Sequence, residues 1–231
     1  MARLIFSEPF DIRDLPATAP AARGSGLVFE EGATRLLLAP GEEEAGYRPK
    51  VAAAGLLDRG EIAQAGALVA RIEDAGFPAL LARDGSGATL ARALLAGDDR
   101  ITGSAGADRL PGFGGDDRIT GGRGADVMTG GGGADLFRFA ALSDSPASDP
   151  DRITDFRSGH DRIDLRGIDA AHGTPGDQAF DFLGAREFSG AAGELRWTGA
   201  ALEADVNGDG RADFALRLGA SHMPGADDLL L

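Results

Sequence analysis

Five consecutive nine-residue units lie between residues 94 and 138, and they keep the same three residue classes in phase. In every unit, glycine stands at the fourth place, aspartate at the sixth and a bulky apolar residue at the eighth. The sixth-place aspartates are Asp99, Asp108, Asp117, Asp126 and Asp135. A flexible glycine-rich linker does not hold an apolar residue at a fixed place. The pattern therefore predicts a regular coil with a nine-residue period.

This nonapeptide resembles the calcium-binding repeat of RTX proteins. Glycine in the first six places allows a tight backbone path with positive φ, which turns carbonyl oxygens inward. Carbonyl and carboxylate oxygens are the hard ligands that Ca²⁺ prefers. Places seven to nine form a short strand whose apolar residue points into the coil, and two units make one turn. Unit n then lies beside unit n+2, which is expected to pair Asp99 with Asp117, Asp108 with Asp126, and Asp117 with Asp135.

The charge of the chain agrees with a metal-binding repeat. The sequence has 37 acidic and 23 basic residues and a net charge of −14. Without a cation, a glycine-rich acidic segment repels itself and is expected to stay largely unfolded. With calcium bound, the ligand energy becomes folding energy. The acidity also argues against nucleic acid or an anionic membrane as a partner.

Length and composition limit the other functional classes. A chain of 231 residues has room for two modest domains or one elongated domain, and it has no cysteine for a disulfide or a thiolate ligand. Only Leu4–Phe6 form an apolar run before Glu8, which is too short for a secretory signal. No segment approaches the about 18 apolar residues of a membrane span. Extracellular calcium modules need calcium near millimolar, so we expect export by a route without an N-terminal signal.

The segment after the repeats supplies a second resemblance. It reads DSPASDPDRITDFRSGHDRIDLRGI from Asp144, then LEADVNGDGRADFALRL, and ends in ADDLLL. Together with the repeats, residues 94–231 resemble the C-terminal domain of the serralysin family, secreted metalloproteases that share this domain with other type I secretion substrates. The resemblance implies a parallel β-roll with an antiparallel β cap, an ABC-type exporter as partner and an extracellular location. Asp227, Asp228 and Leu229–Leu231 are similar to the family's uncleaved C-terminal secretion signal, and the alternative is an ordinary frayed terminus.

The same resemblance implies the metal ligands. In the family each sixth-place aspartate bridges two ions, carbonyls at places one and three serve one ion, and those at places two and four serve the other. The backbone donors implied are Gly103, Ala105, Gly112, Gly114, Gly115, Gly121, Gly122, Gly124, Gly130, Gly131, Gly132 and Gly133. Beyond the repeats, the implied acids are Asp144, Asp151 and Asp161. These positions suffice for about four to five calcium ions. The first unit departs from the pattern, because Leu94 and Leu95 stand where glycines are expected.

The run DVNGDGRADF has two interpretations. Asp205, Asn207, Asp209 and Asp213 match the first, third, fifth and ninth places of an EF-hand-type loop, with Gly210 at the sixth. The twelfth place is Leu216 and not the bidentate glutamate of such loops. The run also lies between two alternating segments, where Asn-Gly or Asp-Gly makes an ordinary hairpin turn.

The first 92 residues predict a small antiparallel, sandwich-like β domain. Apolar stretches at Arg3–Phe6, Leu27–Glu30, Thr34–Ala39, Ala67–Glu73 and Ala79–Arg83 are separated by turn signals. Residues 13–26 are expected to be irregular, and residues 88–95 to form a short helix. We therefore expect three parts: this domain at 1–92, the calcium-binding roll at 93–161, and the antiparallel cap with the secretion signal at 162–231.

No catalytic motif is present in the sequence. The only histidines are His160, His172 and His222, so the H-E-x-x-H zinc site of a serralysin protease is absent. No G-x-S-x-G elbow occurs either. The favoured function is a non-enzymatic, secreted calcium-binding protein with an extracellular carbohydrate or protein ligand. The alternative is a secreted hydrolase or enzyme accessory whose activity lies in the N-terminal domain and uses acids such as Glu30, Glu31 or Glu73.

Overall fold

The computed structural model describes residues 97–219 and 223–231 in full, together with the backbone of eight strands between residues 3 and 78. These residues form twenty strands and two short 3-10 turns, at Leu142–Asp144 and Ala226–Asp228. The predicted all-β class is therefore confirmed. The strands of the N-terminal segment are β1 Arg3–Phe6, β2 Ala21–Arg23, β3 Gly26–Glu31, β4 Thr34–Ala39, β5 Leu56–Leu57, β6 Arg59–Gln64, β7 Ala67–Glu73 and β8 Phe77–Pro78. The others are β9 Arg100–Thr102, β10 Arg109–Pro111, β11 Arg118–Thr120, β12 Val127–Thr129, β13 Leu136–Arg138, β14 Asp151–Ile153, β15 Arg162–Asp164, β16 Asp181–Phe182, β17 Glu194–Trp197, β18 Ala201–Asp205, β19 Phe214–Leu218 and β20 Leu229–Leu230.

The repeats form a parallel β-roll. Successive three-residue strands alternate between two sheets, so that β9, β11, β13 and β15 lie in one sheet and β10, β12 and β14 in the other. Neighbouring strands are parallel and in register at an interval of two units, as in Arg118 opposite Arg100. The eighth-place residues fill the space between the sheets and are at most 1% exposed: Ile101, Leu110, Ile119, Met128 and Phe137. Two units therefore complete one turn, and the predicted roll is confirmed.

The roll continues for two strands, which make one further turn, beyond the glycine repeats. Strand β14 pairs with β12, and β15 pairs with β13, again in parallel. Ile153 and Ile163 occupy the eighth-place position and are fully buried. A connection between β13 and β14 breaks the nine-residue period. Its Phe139 is buried and contacts Phe214 edge-to-face, with ring centroids 5.5 Å apart.

An antiparallel sheet follows the roll, as predicted. Strands β17, β18 and β19 are antiparallel neighbours, and β19 joins this sheet to the roll by pairing in parallel with β14. Leu195, Leu202 and Leu216 lie at its centre and are fully buried. At the end of the chain, β20 pairs in parallel with β15. Residues 229–230 are therefore part of a sheet and do not form a frayed terminus.

The N-terminal strands form an antiparallel sheet in the order β2-β3-β4-β6-β7-β1, and β5 pairs separately with β8. Strand β1 also pairs in parallel with β9, so this sheet is continuous with one sheet of the roll. The structure differs from the prediction at β2, which lies within the stretch expected to be irregular, because pairing with β3 organises it. Strand β6 was not predicted; it is held between β4 and β7. The expected strand at residues 79–83 and helix at 88–95 lie outside the described residues. The division at residues 92 and 161 stays a prediction.

Candidate metal centre

The sixth-place aspartates form two ladders that run along the roll, one beside each sheet: Asp99, Asp117, Asp135 and Asp161 in the first, and Asp108, Asp126 and Asp151 in the second. In each coil the backbone N–H of the aspartate donates a hydrogen bond to Oδ1 of the corresponding aspartate one turn further on. The pairs are Asp99 to Asp117 (2.8 Å), Asp108 to Asp126 (2.8 Å), Asp117 to Asp135 (3.0 Å), Asp126 to Asp151 (2.8 Å) and Asp135 to Asp161 (3.2 Å). The structure thus brings all seven of these predicted side chains to the interfaces between coils, where all are at most 2% exposed.

The second carboxylate oxygen of most of these aspartates has no hydrogen-bond donor. Oδ2 of Asp117, Asp126, Asp135 and Asp151 is buried and accepts no hydrogen bond from any described residue. A buried, unpaired carboxylate oxygen is costly, and native structures usually compensate it with a donor, a water or a cation. Two such oxygens in each ladder, those of Asp117 and Asp135 and those of Asp126 and Asp151, are therefore the main observation that bound cations would explain.

Burial and neighbouring carboxylates raise the pKa of the same four carboxyl groups. Burial raises the pKa of Asp117 and of Asp151 to about 8, and neighbouring carboxylates add to the effect. Burial likewise raises the pKa of Asp126 to about 7. The pKa of Asp135 rises only to about 6, because the nearby Arg157 partly offsets the desolvation. A divalent cation placed among these groups would favour their charged form.

Oxygen atoms from two coils converge beside the first-place glycines. A Cβ atom at Gly112 would lie 2.5 Å from the carbonyl oxygen of Gly130 and would also collide with Oδ2 of Asp117. At Gly130, a Cβ atom would lie 2.8 Å from Cγ of Asp135. At Gly103, it would lie 3.0 Å from Oδ2 of Asp108. The first place must therefore be glycine, because the sixth-place carboxylate of its own coil occupies the space of a side chain.

The other predicted backbone donors lie in the same loops. Positive φ occurs at the fourth place in Gly115, Gly124 and Gly133, and at the second place in Gly122 and Gly131. Phe113 adopts the same conformation at a second place, with φ of 70°, although it is not a glycine. These loops follow each other along the roll, as the hydrogen bond from Gly115 N–H to the Gly132 carbonyl shows (2.7 Å). The predicted donors present in these loops are Gly103, Ala105, Gly112, Gly114, Gly115, Gly121, Gly122, Gly124, Gly130, Gly131, Gly132 and Gly133.

Two aspartates, Asp108 and Asp161, differ from Asp117, Asp126, Asp135 and Asp151, because their Oδ2 atoms have donors within the protein. Oδ2 of Asp108 accepts hydrogen bonds from the backbone N–H and the hydroxyl of Ser104 (2.7 and 2.9 Å). Oδ2 of Asp161 accepts one from the backbone N–H of Arg157 (2.8 Å). The guanidinium of Arg157 also contacts Asp161 Oδ1 (3.2 Å) and the carbonyl of Gly133. The aspartates therefore differ in whether Oδ2 is already hydrogen-bonded within the protein or is without a donor.

Asp144 and Asp155 have different roles beside the ladders. Oδ2 of Asp144 accepts hydrogen bonds from the N–H groups of Ala140 and Ala141, and its charge contributes to the raised pKa of both Asp126 and Asp151. Sequence reasoning did not identify Asp155. Its two oxygens accept the N–H groups of Gly130 and Gly131 (2.9 and 2.8 Å) and so fix the start of the last glycine-rich loop.

The donor set fits calcium through backbone and carboxylate oxygens together. Across residues 97–219 and 223–231, no three acidic or histidine side chains are grouped as metal ligands. Carbonyl oxygens must therefore supply much of any coordination shell, as the repeat pattern implies. Calcium accepts such mixed shells of about six to eight oxygens, whereas Mg²⁺ demands stricter geometry. The buried, donor-free Oδ2 atoms and the adjacent carbonyls agree with this chemistry.

The second candidate loop is a hairpin connection between β18 and β19. Asp205 is fully buried, and its carboxylate accepts the N–H groups of Asn207, Gly208 and Gly210. Asp213 accepts the N–H of Val206 and the side-chain amide of Asn207. These hydrogen bonds organise the turn between the two strands, and the EF-hand-type interpretation of this loop stays untested.

Comparison with known proteins gives matches over the same part of the chain. Residues 116–230 match the family model described as the peptidase M10 serralysin C terminal, and residues 95–110 match the RTX calcium-binding nonapeptide repeat. Among solved structures, the solution structure of the AlgE6R3 subunit from the Azotobacter vinelandii mannuronan C5-epimerase is 30% identical. That match covers 58% of this chain and 72% of the other, with a TM-score of 0.39. A search of curated proteins gave no significant match. Within the described residues, no helix is long and apolar enough for a membrane crossing.

Proposed function

Because the part of this chain from residue 95 to residue 230 belongs to the RTX calcium-binding repeat proteins with a serralysin-type C-terminal domain, we propose that it folds on binding two rows of calcium ions after type I export. The ions bind between successive turns of the roll, one row along each ladder of sixth-place aspartates. About four to five ions are required, since the two ladders together have five junctions between turns.

The observation that carries this proposal is the set of buried Oδ2 atoms without donors in Asp117, Asp126, Asp135 and Asp151. These four carboxylates each serve two functions. Oδ1 holds the backbone of the preceding turn, and Oδ2 is available to a cation. Carbonyls of the first to fourth places complete the shell. Asp144, Asp151 and Asp161 extend the rows beyond the last glycine repeat, and Asp99 and Asp108 begin them.

Calcium also explains how an acidic, glycine-rich roll can be stable. Neutralising the buried carboxylates removes their mutual repulsion, and the ordering entropy of the glycine loops is offset by the ligand bonds. At low calcium the same segment stays largely unfolded. This state suits a chain that crosses an exporter before it folds. The serralysin-type C-terminal domain supports export by an ABC-type exporter and an extracellular location.

We further propose that the extracellular role is binding and not catalysis. The full sequence lacks the H-E-x-x-H motif that serralysin proteases use. An N-terminal enzyme would use acids such as Glu30, Glu31 and Glu73. These residues lie in strands of which the structure describes only the backbone.

Circular dichroism during a calcium titration of the full chain tests the proposal. β-Structure should rise cooperatively with a midpoint on the order of 10⁻⁴–10⁻³ M, as for extracellular calcium modules. Magnesium at the same concentrations serves as the control and should have a much smaller effect. Full β-structure of the roll in excess EGTA, with no calcium detected by elemental analysis, would contradict the proposal.

A further inference from the structure

One outer face of the roll carries an arginine-rich cleft of about 480 Å³. Its lining includes Arg100, Arg118, Arg138 and Arg166, together with Thr120 and Asp164. The chain as a whole has a net charge of −14, so four arginines against one aspartate reverse the sign of the charge locally.

The roll itself generates this row of arginines. The eighth place of each unit points into the core, so the seventh and ninth places point outward, as the exposed–buried–intermediate pattern of β9 and β11 shows. Arg118 is in register with Arg100 on the neighbouring strand, and Arg138 is in register with Asp164. Neighbouring strands are about 4.8 Å apart, so positive groups follow one another along the roll axis.

Among the described residues, two of these arginines have no ion-pair partner. Arg166 holds both oxygens of Asp164 (2.9 and 3.0 Å) and lowers the pKa of that carboxyl. Arg100 and Arg118 are exposed and form no ion pair with any described residue. Asp164, the single acid among the described residues of the cleft, is therefore neutralised, and the guanidinium groups of Arg100 and Arg118 are not paired with any described acid.

We propose that this cleft binds an acidic polysaccharide through its carboxylate groups. Guanidinium groups bind carboxylates through two parallel hydrogen bonds, and the hydroxyl of Thr120 can pair with sugar hydroxyls. Among the described residues, the lining has no aromatic side chain on which nucleobases could stack, and Leu136 is the only large apolar one, which leaves little for a peptide side chain to fill. This inference rests on the proposed function only in that the roll must be folded.

Binding of oligogalacturonate by the full, calcium-loaded chain tests the proposal. The test variant is Arg100→Ser with Arg118→Ser. The matched control is Arg152→Ser with Arg217→Ser, because these two arginines are exposed register partners in the other sheet and outside the cleft. Both double variants change the net charge equally. Circular dichroism in calcium verifies that each protein is folded.

The cleft variant should lose at least about tenfold in affinity for oligogalacturonate, since two guanidinium groups that would bind its carboxylates are removed, while the control should change little. Equal losses in both variants, or no binding by the wild type, would overturn the proposal. Stronger binding of single-stranded DNA than of oligogalacturonate at the cleft would also overturn it, because the ligand class would then be wrong. A failure of calcium-dependent folding would be visible separately in the dichroism.

A second, independent observation concerns Arg157, which lies at the junction between Asp135 and Asp161, the last junction of their ladder. Its guanidinium contacts Asp161 Oδ1 and the Gly133 carbonyl, and it lies 3.9 Å from Oδ2 of Asp135. These are the same kinds of oxygen, a fourth-place carbonyl and two sixth-place carboxylates, that surround the other junctions. We infer that Arg157 takes the place of one calcium ion, so that a cation attached to the chain closes this end of the row. This inference deepens the proposed function and rests on it.

Counting the calcium ions bound per chain, by equilibrium dialysis with elemental analysis, tests this role. Arg157→Gln should bind one more ion than the wild type, whereas Arg157→Lys, which keeps a positive charge, should keep the wild-type count. Arg152→Gln, an exposed arginine of β14, is the matched control and should also keep it. Equal counts for Arg157→Gln and the wild type, or a glutamine variant that cannot fold in calcium, would overturn the inference. Absence of calcium from the wild type would instead overturn the proposed function.

Discussion

Gly130 and Gly132 lie two residues apart in the same repeat, yet a methyl group added at the two positions meets different surroundings. At Gly130, the new carbon would lie 2.8 Å from Cγ and 3.1 Å from Cβ of Asp135. At Gly132, nothing lies within 4 Å. Neither glycine has the positive φ that would strain alanine by itself. The pair therefore isolates the steric demand of the aspartate ladder from backbone strain.

The expected cost of Gly130→Ala follows from the contacts that it breaks. The backbone cannot move away easily, because the N–H groups of Gly130 and Gly131 are held by Asp155. Asp135 must move instead and loses the hydrogen bond from Asp117 N–H. Overpacking costs about 1–3 kcal/mol and a hydrogen bond to a charged group about 1.5–3 kcal/mol, so the free energy of unfolding should fall by about 2.5–6 kcal/mol. For a chain of 231 residues, this corresponds to a fall in Tm on the order of 10 °C.

The assay is thermal unfolding in saturating calcium, followed by circular dichroism, combined with the midpoint of the calcium titration. Gly130→Ala should melt lower and need more calcium to fold, because a displaced Asp135 is a weaker ligand. Gly132→Ala should be neutral or more stable by about 0.4–1 kcal/mol, since alanine restricts the unfolded chain. Equal destabilisation by the two substitutions, or a larger effect at Gly132, would refute the steric argument.

Three further predictions concern the two ladders. Asp117→Ala should raise the midpoint of the calcium titration more than Asp99→Ala, because Asp117 lies between two junctions whereas Asp99 lies at one end of the described ladder. Equal midpoints for the two variants would contradict this order. Asp155→Ala should lower the Tm in calcium by several degrees, because it removes the acceptor of the Gly130 and Gly131 N–H groups. Asp177→Ala, at an exposed acid, should leave the Tm unchanged. Equal melting curves for the two variants would show that Asp155 does not anchor the loop. Four ladder carboxylates have folded-state pKa values raised to about 6–8, so the folded state binds more protons than the unfolded state between about pH 4 and pH 8. The free energy of unfolding of the calcium-free protein therefore falls as the pH rises through this range. Calcium-stripped protein should therefore gain β-structure from pH 8 to pH 5 while the calcium midpoint rises, and a dichroism signal independent of pH would count against buried, unpaired carboxylates.

The nine-residue pattern predicts the roll because each place has a separate physical requirement. Glycine at the first place leaves room for the aspartate, and an apolar eighth place fills the core, so both leave a visible period in the sequence. The two units after the repeats keep only part of this pattern. Ile153 and Ile163 remain at the eighth place, but most glycines are absent. Their acids were implied by family resemblance and not by the period.

Other features depend on contacts between residues far apart in the sequence and leave no local pattern. Asp155 reaches Gly130, and Arg157 reaches the Gly133 carbonyl, only because the roll places successive turns side by side. In the sequence alone, an arginine in a loop of an acidic protein cannot be distinguished from an ordinary solvated residue. In the same way, nothing local in β1 predicts that it pairs with β9.

The stacking of the roll also bears on self-association. A stack of parallel strands ends in unpaired N–H and C=O groups, and such an edge can add a strand from another molecule. In one sheet, β1 pairs with the outer side of β9 and β20 with that of β15, so both ends are occupied. In the other sheet, β10 is the terminal strand among the described residues, and it contains Pro111, which has no N–H to offer a partner. A chain that begins after β1 would expose the edge of β9, and its calcium-folded form should associate end to end as its concentration rises.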